Sequence, residues 1–458
     1  METTNKERIH KFYQNGMYLL LDINSGAVHV IDKMIYEIMD YFDGTNDAEV
    51  LAKLNGSYAE AELKEALEEL HQLMELGHLF APDIDVPPTF GQIGVVKSMC
   101  FMVAHDCNLR CKYCFGDTGE YGGDRELMSK EVGEAAVEYI IKNSFLRKHC
   151  EIDFFGGEPL VNMPVVKHLT EYVRRREKET GKSFKLTLTT NGLLLNEKNL
   201  EFLNENNISL VLSLDGRREV HDRMRPDVGG NGTYDRVVKN FQRAVESRKG
   251  NNYYLRGTYT HHNLDFTDDV LSMRDAGFDV LSEEPVVSPS GDYALTEADL
   301  PKIEAEYDRL ARTYLEERKA GRGFFFFHFN MDLSNGPCVA KRLAGCGAGH
   351  EYYAVAANGD LYPCHQFVGR KKYRLGSVFT GVEDKELPQY FRESHVLNKP
   401  KCRDCWARFY CSGGCHANAD LFHDNIREPY ELGCAIQKKR LECAIMVQAA
   451  MKLEENQG

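Results

Sequence analysis

Cysteine placement constrains this chain more than any other feature. Three of its 14 cysteines stand as Cys107-Asn-Leu-Arg-Cys111-Lys-Tyr-Cys114, none lies between Cys150 and Cys338, and nine fall from Cys338 to Cys443. Fourteen thiols in 458 residues are too sparse for a disulfide scaffold and too clustered for scattered core residues. Metal or cluster ligation is the expectation. With 56 Lys+Arg against 70 Asp+Glu the net charge is -14, which leaves no basic field for a phosphate backbone, so no nucleic-acid partner is expected. No run approaches the roughly 18 uninterrupted apolar residues of a membrane span. The opening METTNKERIHKF lacks the apolar stretch of a secretory signal. No membrane partner and a cytoplasmic location are expected.

Two alternating runs, Met17 to Ile23 and Ala27 to Ile31, are joined by Asn24-Ser25-Gly26 and read as a hairpin. Asp32 can cap a helix through Phe42, and Ser57 with Glu60 matches a capping box ahead of Leu63, Leu67, Leu70 and Met74. This predicts a strand-strand-helix-helix-helix module over 1–82. A linker over 83–95 follows, rich in proline and glycine and without periodicity. From 96 to 290 a short apolar strand, a polar turn and an amphipathic helix recur six times, with strands at Val96 to Val103, Glu151 to Phe155, Phe184 to Thr189, Ile208 to Leu214, Tyr254 to Tyr259 and Val280 to Pro285. The fold class is α/β: a partial (β/α)6 TIM-like barrel, whose polar motifs belong at the carboxyl ends of the strands. They stand there as HDC, GGEP, TTNG and SLDG. A bridging region over 291–335 leads to a cysteine-rich domain over 336–458, where few strong helices suggest that metal centres hold the chain more than an apolar core does.

Three thiolates on one loop can hold three irons of a four-iron cluster and leave the fourth iron open, whereas electron carriers saturate the cluster with four cysteines. A zinc site or buried thiols remain the alternative. The stretch resembles the signature of the radical S-adenosylmethionine (SAM) enzymes. That resemblance implies that Cys107, Cys111 and Cys114 hold the SAM-binding [4Fe-4S] cluster and serve catalysis. It implies further that Gly156, Gly157 and Glu158 of GGEP meet the methionine amino group. Asn191, Ser213, Asp215 and Arg225 would stand around the ribose and carboxylate, with Tyr113 and Phe115 near the adenine.

The second constellation runs Cys346-x12-Gly359-x4-Cys364, Cys402-x2-Cys405-x5-Cys411-x3-Cys415, then Cys434. It is similar to the SPASM extension of radical SAM enzymes that modify peptides. This likeness implies an outer auxiliary cluster on Cys402, Cys405, Cys411 and Cys434 and an inner one on Cys346, Cys364 and Cys415, three [4Fe-4S] clusters in all. Cys338 supplies the missing inner ligand, or the site stays open for a substrate cysteine. Two zinc ions remain the alternative for the same spacings. Cys100, Cys150 and Cys443 fall outside every motif and read as core residues. Phe324 to Phe327, with His328 and Phe329, reads as a buried bridging strand, and His261 and His262 as surface residues.

The N-terminal module resembles the RiPP recognition element, which binds the leader of a ribosomally made peptide by strand addition. As a whole the chain most resembles the maturases of cysteine-rich SCIFF peptides. That likeness implies a cysteine-rich precursor peptide with a leader as substrate and an external one-electron donor of the flavodoxin or ferredoxin type. The reaction would join a cysteine sulfur to a carbon of an acceptor residue, threonine being the expected one, through a thioether. Other radical SAM peptide modifications, such as carbon-carbon crosslinking or formylglycine formation, are the alternative, and a non-catalytic cluster-bearing electron carrier or peptide binder stands in another class. Sulfatase-maturing relatives carry an acid after the second SPASM cysteine, whereas here His365 follows Cys364.

Overall fold

The computed structural model describes residues 5–86, 90, 95–333 and 342–457. Cys338 and most of the 83–95 linker centre lie outside the described residues. The chain opens with a three-stranded antiparallel sheet, β1 (Ile9–Gln14), β2 (Met17–Asp22) and β3 (Val28–Ile31), followed by α1 (Lys33–Ile38), α2 (Asp47–Leu54) and α3 (Glu60–Glu75). The expected hairpin is β2-β3; β1 is an added strand. Asp32 caps α1 by accepting from the Ile35 N–H at 2.8 Å, but the helix stops at Ile38, short of Phe42. Ser57 forms no capping box, because α3 begins after Ala59, whose N–H is taken by Glu62 at 3.3 Å. Leu63, Leu67 and Leu70 face a small core of their own with Leu20, Ile38 and Phe42.

Six parallel strands form the barrel wall: β4 (Ser98–Ala104), β5 (His149–Gly156), β6 (Ser183–Thr190), β7 (Ser209–Ser213), β8 (Tyr253–Tyr259) and β9 (Val280–Pro285), each paired with the next in order. Period-two alternation explains why β5, β6 and β8 are strands, while β4 is apolar from Met99 onward and buried on both faces. Ile152 and Phe154 of β5 and Leu186 and Leu188 of β6 are sealed against helices such as α4 (Lys130–Asn143) and α5 (Met163–Thr180), each side chain contributing about 1.5–3 kcal/mol by burial. Thr187 and Thr189 point the other way, into the lumen. An incomplete barrel leaves that lumen open, and polar residues line it.

The sheet runs past both expected edges. β10 (Phe325–Phe326) adds parallel to β9, the chain from Phe327 to Phe329 forms a 3-10 turn rather than strand, and Phe325 and Phe327 are exposed rather than buried. On the other edge β11 (Tyr352–Val355) joins parallel to β4 and leads through β12 (Asp360–Tyr362), β13 (Gly376–Ser377) and β14 (Gly381–Val382), giving eleven strands. β4 is therefore covered on both faces, with Phe101 in the main core and Cys100 and Met102 in a second one. The C-terminal region is more helical than its sequence promises. Helix Glu431–Gln457 runs 27 residues and lays Ile436, Cys443, Ile445 and Val447 into the barrel core beside α6 (Leu300–Lys319). Cys100, Cys150 and Cys443 are all buried. No described helix is long and apolar enough to cross a membrane.

Candidate functional site

Cys107, Cys111 and Cys114 sit on the loop that leaves β4. Backbone bonds fix that loop against the segment carrying Arg225: the Arg110 N–H donates to the Pro226 carbonyl at 2.8 Å and the Lys112 N–H to that of Met224 at 2.9 Å. From the other side the end of β5 lies flush on it, with Gly157 N–H on the Ala104 carbonyl at 2.8 Å and Glu158 N–H on that of Asp106 at 2.9 Å. Only glycine permits this approach. A Cβ at Gly156 or Gly157 would stand 2.3 Å from the carbonyl oxygen of Ala104 or Asp106 respectively.

Glu158 is wholly buried. Its carboxylate accepts from the Leu160 N–H at 3.1 Å, the Thr190 hydroxyl at 2.8 Å and the Asn191 N–H at 2.8 Å. Burial pushes it up to about 7 against those bonds. In this arrangement the acid braces the ends of β5 and β6, while one oxygen keeps room for a further donor. The Asn191 amide donates to Asn108 at 2.7 Å and approaches the Cys107 sulfur at 3.7 Å. Across the lumen, the Arg225 guanidinium donates to the Tyr113 hydroxyl at 2.8 Å, and that hydroxyl donates to Asp215. Among the described residues Asp215 Oδ1 and Arg225 Nε are buried and find no hydrogen-bond partner, as expected of groups that bind a polar ligand. Burial raises Asp215 to about 6, with Arg225 pulling it back.

These residues enclose a cavity of about 150 Å³ lined by the three cysteines, Gly156, Gly157, Glu158, Asn191, Ser213 and Arg225. Burial pushes the Cys107 thiol up to about 12 and Cys111 to about 11, so thiolates there need a cationic partner such as iron. Orphaned polar atoms, a glycine cradle and three thiols on one loop fit an amino-acid ligand on an open-sided cluster. Tyr113, Phe115, Phe155, Ser213 and Arg225 also line a second cavity of about 610 Å³, whose far wall carries Cys411, Cys415 and Cys434. Phe115 is half exposed there, its ring beside those of Phe155 and His365.

The remaining thiols fall into two neighbourhoods. Cys364 lies within electrostatic reach of Cys415 and Cys346, and Cys434 within reach of Cys411, Cys402 and Cys405. Among the described residues no three His, Cys, Asp or Glu side chains converge as a single ion requires. Tyr113, Phe115, Ser213 and Arg225 line both cavities, whereas Cys346, Cys364, Cys402 and Cys405 line neither.

Sequence reasoning missed Arg256 and Glu284, which reach the larger cavity from β8 and β9. Glu284 is held below the usual carboxylate range although burial works against it, because His328 and Arg440, each 3.1 Å away, and Arg256 favour its charge. Their only signal is a polar residue at a lumen-facing position. His365 lines the same cavity and is lowered to about 4, first by burial and then by Arg256, so it is neutral. His261 and His262 pair with Asp299 and Asp292.

Residues 102–270 match the family model of the Radical SAM superfamily. The chain is 24% identical over 346 residues to the cysteine-type anaerobic sulfatase-maturating enzyme of Clostridium novyi (strain NT), covering 71% of this chain and 90% of that one. The solved structure of native anSMEcpe with bound AdoMet superimposes with a TM-score of 0.65 at 23% identity, over 77% of this chain and 98% of that one. Streptococcus suis SuiB bound to S-adenosylmethionine gives 0.52 at 17% identity, over 92% and 97%. At these identities the structural likeness is one of fold. The chain thus carries a radical SAM domain in the mixed α/β fold of that superfamily, homologous to anaerobic sulfatase-maturating enzymes.

Proposed function

We propose that this protein is a radical SAM peptide maturase that closes thioether bonds between a cysteine sulfur and a carbon of an acceptor residue, threonine by expectation, in a cysteine-rich precursor peptide. One observation carries the reading: the cavity of the three-cysteine loop opens into a larger one walled by Cys411, Cys415 and Cys434. A peptide in that space touches both. Cys107, Cys111 and Cys114 would hold a four-iron cluster that, with SAM, would supply a hydrogen-abstracting 5′-deoxyadenosyl radical, and clusters held by Cys346, Cys364 and Cys415 and by Cys402, Cys405, Cys411 and Cys434 would supply an acceptor for the electron released when a thiolate closes on carbon. The two thiol neighbourhoods beyond the first loop support a count of three clusters.

The protein's own residues position and exclude. Arg225, Ser213, Asn191 and the Gly156-Gly157 backbone bind the methionyl and ribose groups, and Glu158 braces them. Tyr113 and Phe115 line the passage between the two cavities. His365, neutral, stands where sulfatase-maturing relatives carry an acid, so a proton-taking carboxylate is absent from that position. This favours a sulfur held as thiolate by iron over formylglycine formation.

The N-terminal module is the proposed leader-docking element. The match to SuiB leaves under a tenth of this chain outside it and so reaches into the module, and SuiB has also been solved bound to precursor peptide SuiA. The test is anaerobic reaction of the reconstituted protein with SAM, a one-electron reductant and a coexpressed cysteine-rich peptide. The expected result is 5′-deoxyadenosine together with a peptide two hydrogens lighter per crosslink. Cleaved SAM with an unaltered peptide would rule out thioether formation, and a product with formylglycine would select the alternative.

A further inference from the structure

Lys399 has no exposed surface and stands within electrostatic reach of cysteines from both neighbourhoods of the C-terminal region. It precedes the single helical turn Pro400–Arg403 that carries Cys402. Its ammonium donates to the Gly413 carbonyl at 2.8 Å, inside the Cys411-Ser-Gly-Gly-Cys415 loop. The fit is close: a Cβ on Gly413 would stand 3.5 Å from Nζ. Among the described residues Lys399 makes no ion pair. When it carries its proton, the group presents a positive charge and three N–H donors to one carbonyl in a dry setting, and burial lowers its pKa from the ordinary lysine value.

An isolated buried ion costs several kcal/mol even after the protein relaxes around it. Something must offset that cost. The groups acting on Lys399, after burial itself, are the thiols of Cys402, Cys411, Cys415 and Cys346. Neutral thiols offset little, whereas thiolates on an iron-sulfur cluster carry net negative charge and offset a great deal. The four belong to both neighbourhoods: Cys402 and Cys411 to one, Cys346 and Cys415 to the other. Two other cations act on these cysteine sets, each on one set alone: Arg440 on Cys411, already paired with Glu284 at 3.1 Å, and Lys438 on Cys434.

We propose that Lys399 is a counter-cation shared by two auxiliary iron-sulfur centres, raising the reduction potential of both. The inference rests on the reading of these seven cysteines as two cluster sites. A fixed positive charge stabilises the reduced, more negative form of each cluster more than the oxidised form, and net charge is among the main determinants of cluster potential. One ammonium thereby biases both centres toward accepting an electron. It is a tuning residue and touches no substrate.

The experiment uses the full chain, reconstituted anaerobically, with Cys107, Cys111 and Cys114 all replaced by Ala so that only auxiliary clusters remain. Iron and sulfide content then counts these clusters. Fewer than two four-iron equivalents would overturn the two-site reading itself, which separates its failure from that of the lysine's role. With two present, an EPR-monitored redox titration of Lys399→Met is expected to show both midpoints lowered by the equivalent of at least tenfold in the reduction equilibrium, about 59 mV for one electron. Lys399→Arg keeps the charge and is expected to keep both midpoints near their original values. Unmoved midpoints in Lys399→Met, or a shift confined to one cluster, would overturn the proposal. If Lys399→Met holds too little iron to titrate, iron content becomes the readout. Full iron in Lys399→Arg with loss in both Lys399→Met and Lys399→Gln supports a counter-charge, and equal loss in all three overturns it.

Discussion

Arg225 stands 3.6 Å from Asp215 inside the barrel, and the Tyr113 hydroxyl bridges the two. Both charges are buried, so removing one leaves the other uncompensated, at a cost of about 3–5 kcal/mol. Arg225→Met is therefore expected to destabilise the protein by roughly 3 kcal/mol in denaturant titration. The same cation is placed to bind the SAM carboxylate. Equilibrium dialysis is expected to show at least about tenfold weaker SAM binding, the loss of one charged hydrogen bond. An unchanged SAM affinity in a folded variant would remove Arg225 from the binding site.

The double glycine at the end of β5 gives a sharper, local test. Gly157→Ala would drive a methyl group to 2.3 Å from the Asp106 carbonyl oxygen, a backbone atom that cannot swing aside. Overpacking of this kind costs typically about 1–3 kcal/mol, and here the strain falls on the loop bearing Cys107. Iron on the first loop is expected to be lost while the auxiliary thiols keep theirs. Iron analysis, alone and combined with Cys107→Ala, reads this directly: the two changes should not add.

Much of this was legible in the sequence, for physical reasons that differ by element. β5 and β6 alternate apolar and polar residues and are flanked by helices with apolar stripes, so period alone gives strands and crossovers. β1 was not legible because His10, Lys11 and Gln14 interrupt its alternation. The addition of β11 to β4 was not legible either, since pairing across some 250 residues leaves no local trace. A terminal helix carrying Cys443 was legible, but not its 27-residue length, because cysteine and glycine stand in its first turn. In the site, contiguous motifs announced themselves. Arg256, Glu284 and Lys399 are single polar residues whose roles come only from where folding carries them.

Glu283 shows how pH acts on the barrel interior. It is buried, neither carboxyl oxygen has a hydrogen-bond partner, and burial together with Asp269, Asp215 and Glu284 raises it well above the usual carboxylate range. Below the ordinary carboxylate pKa, folded and unfolded chains both hold the proton and the group is silent. As pH rises above it, the unfolded chain releases the proton and the folded one does not, so stability falls by up to about 1.4 kcal/mol per pH unit until the folded group ionises. Glu283→Gln keeps the shape and removes the proton. It is expected to match the original protein near pH 4 and to exceed it progressively from pH 5 to 8 in denaturant midpoints. Parallel pH profiles would show that Glu283 is ionised in the folded protein.

The N-terminal module is joined to the cysteine-rich region by Arg408, which is buried and donates to the Asn24 side chain at 2.8 Å while also reaching the Cys405 carbonyl at 3.2 Å. Beside it the His10 ring stacks on Trp406 at 3.8 Å. The β2-β3 turn and the loop of Cys405 are therefore held by the same guanidinium. Arg408→Ala would leave Asn24 short of a donor and unpin the module, costing on the order of 1.5–3 kcal/mol at this contact, the range for a hydrogen bond to a charged group. Hydrogen exchange should then quicken in β1, β2 and β3, and iron loss should be confined to the set containing Cys405. Faster exchange in the barrel strands instead would mean that the module stabilises the whole chain. Unchanged exchange in β1 to β3 would mean that the remaining contacts suffice to hold it, among them the His10 stack, His10 on Glu442, Lys439 on Gln14 and the Tyr410 hydroxyl on the Gly26 carbonyl.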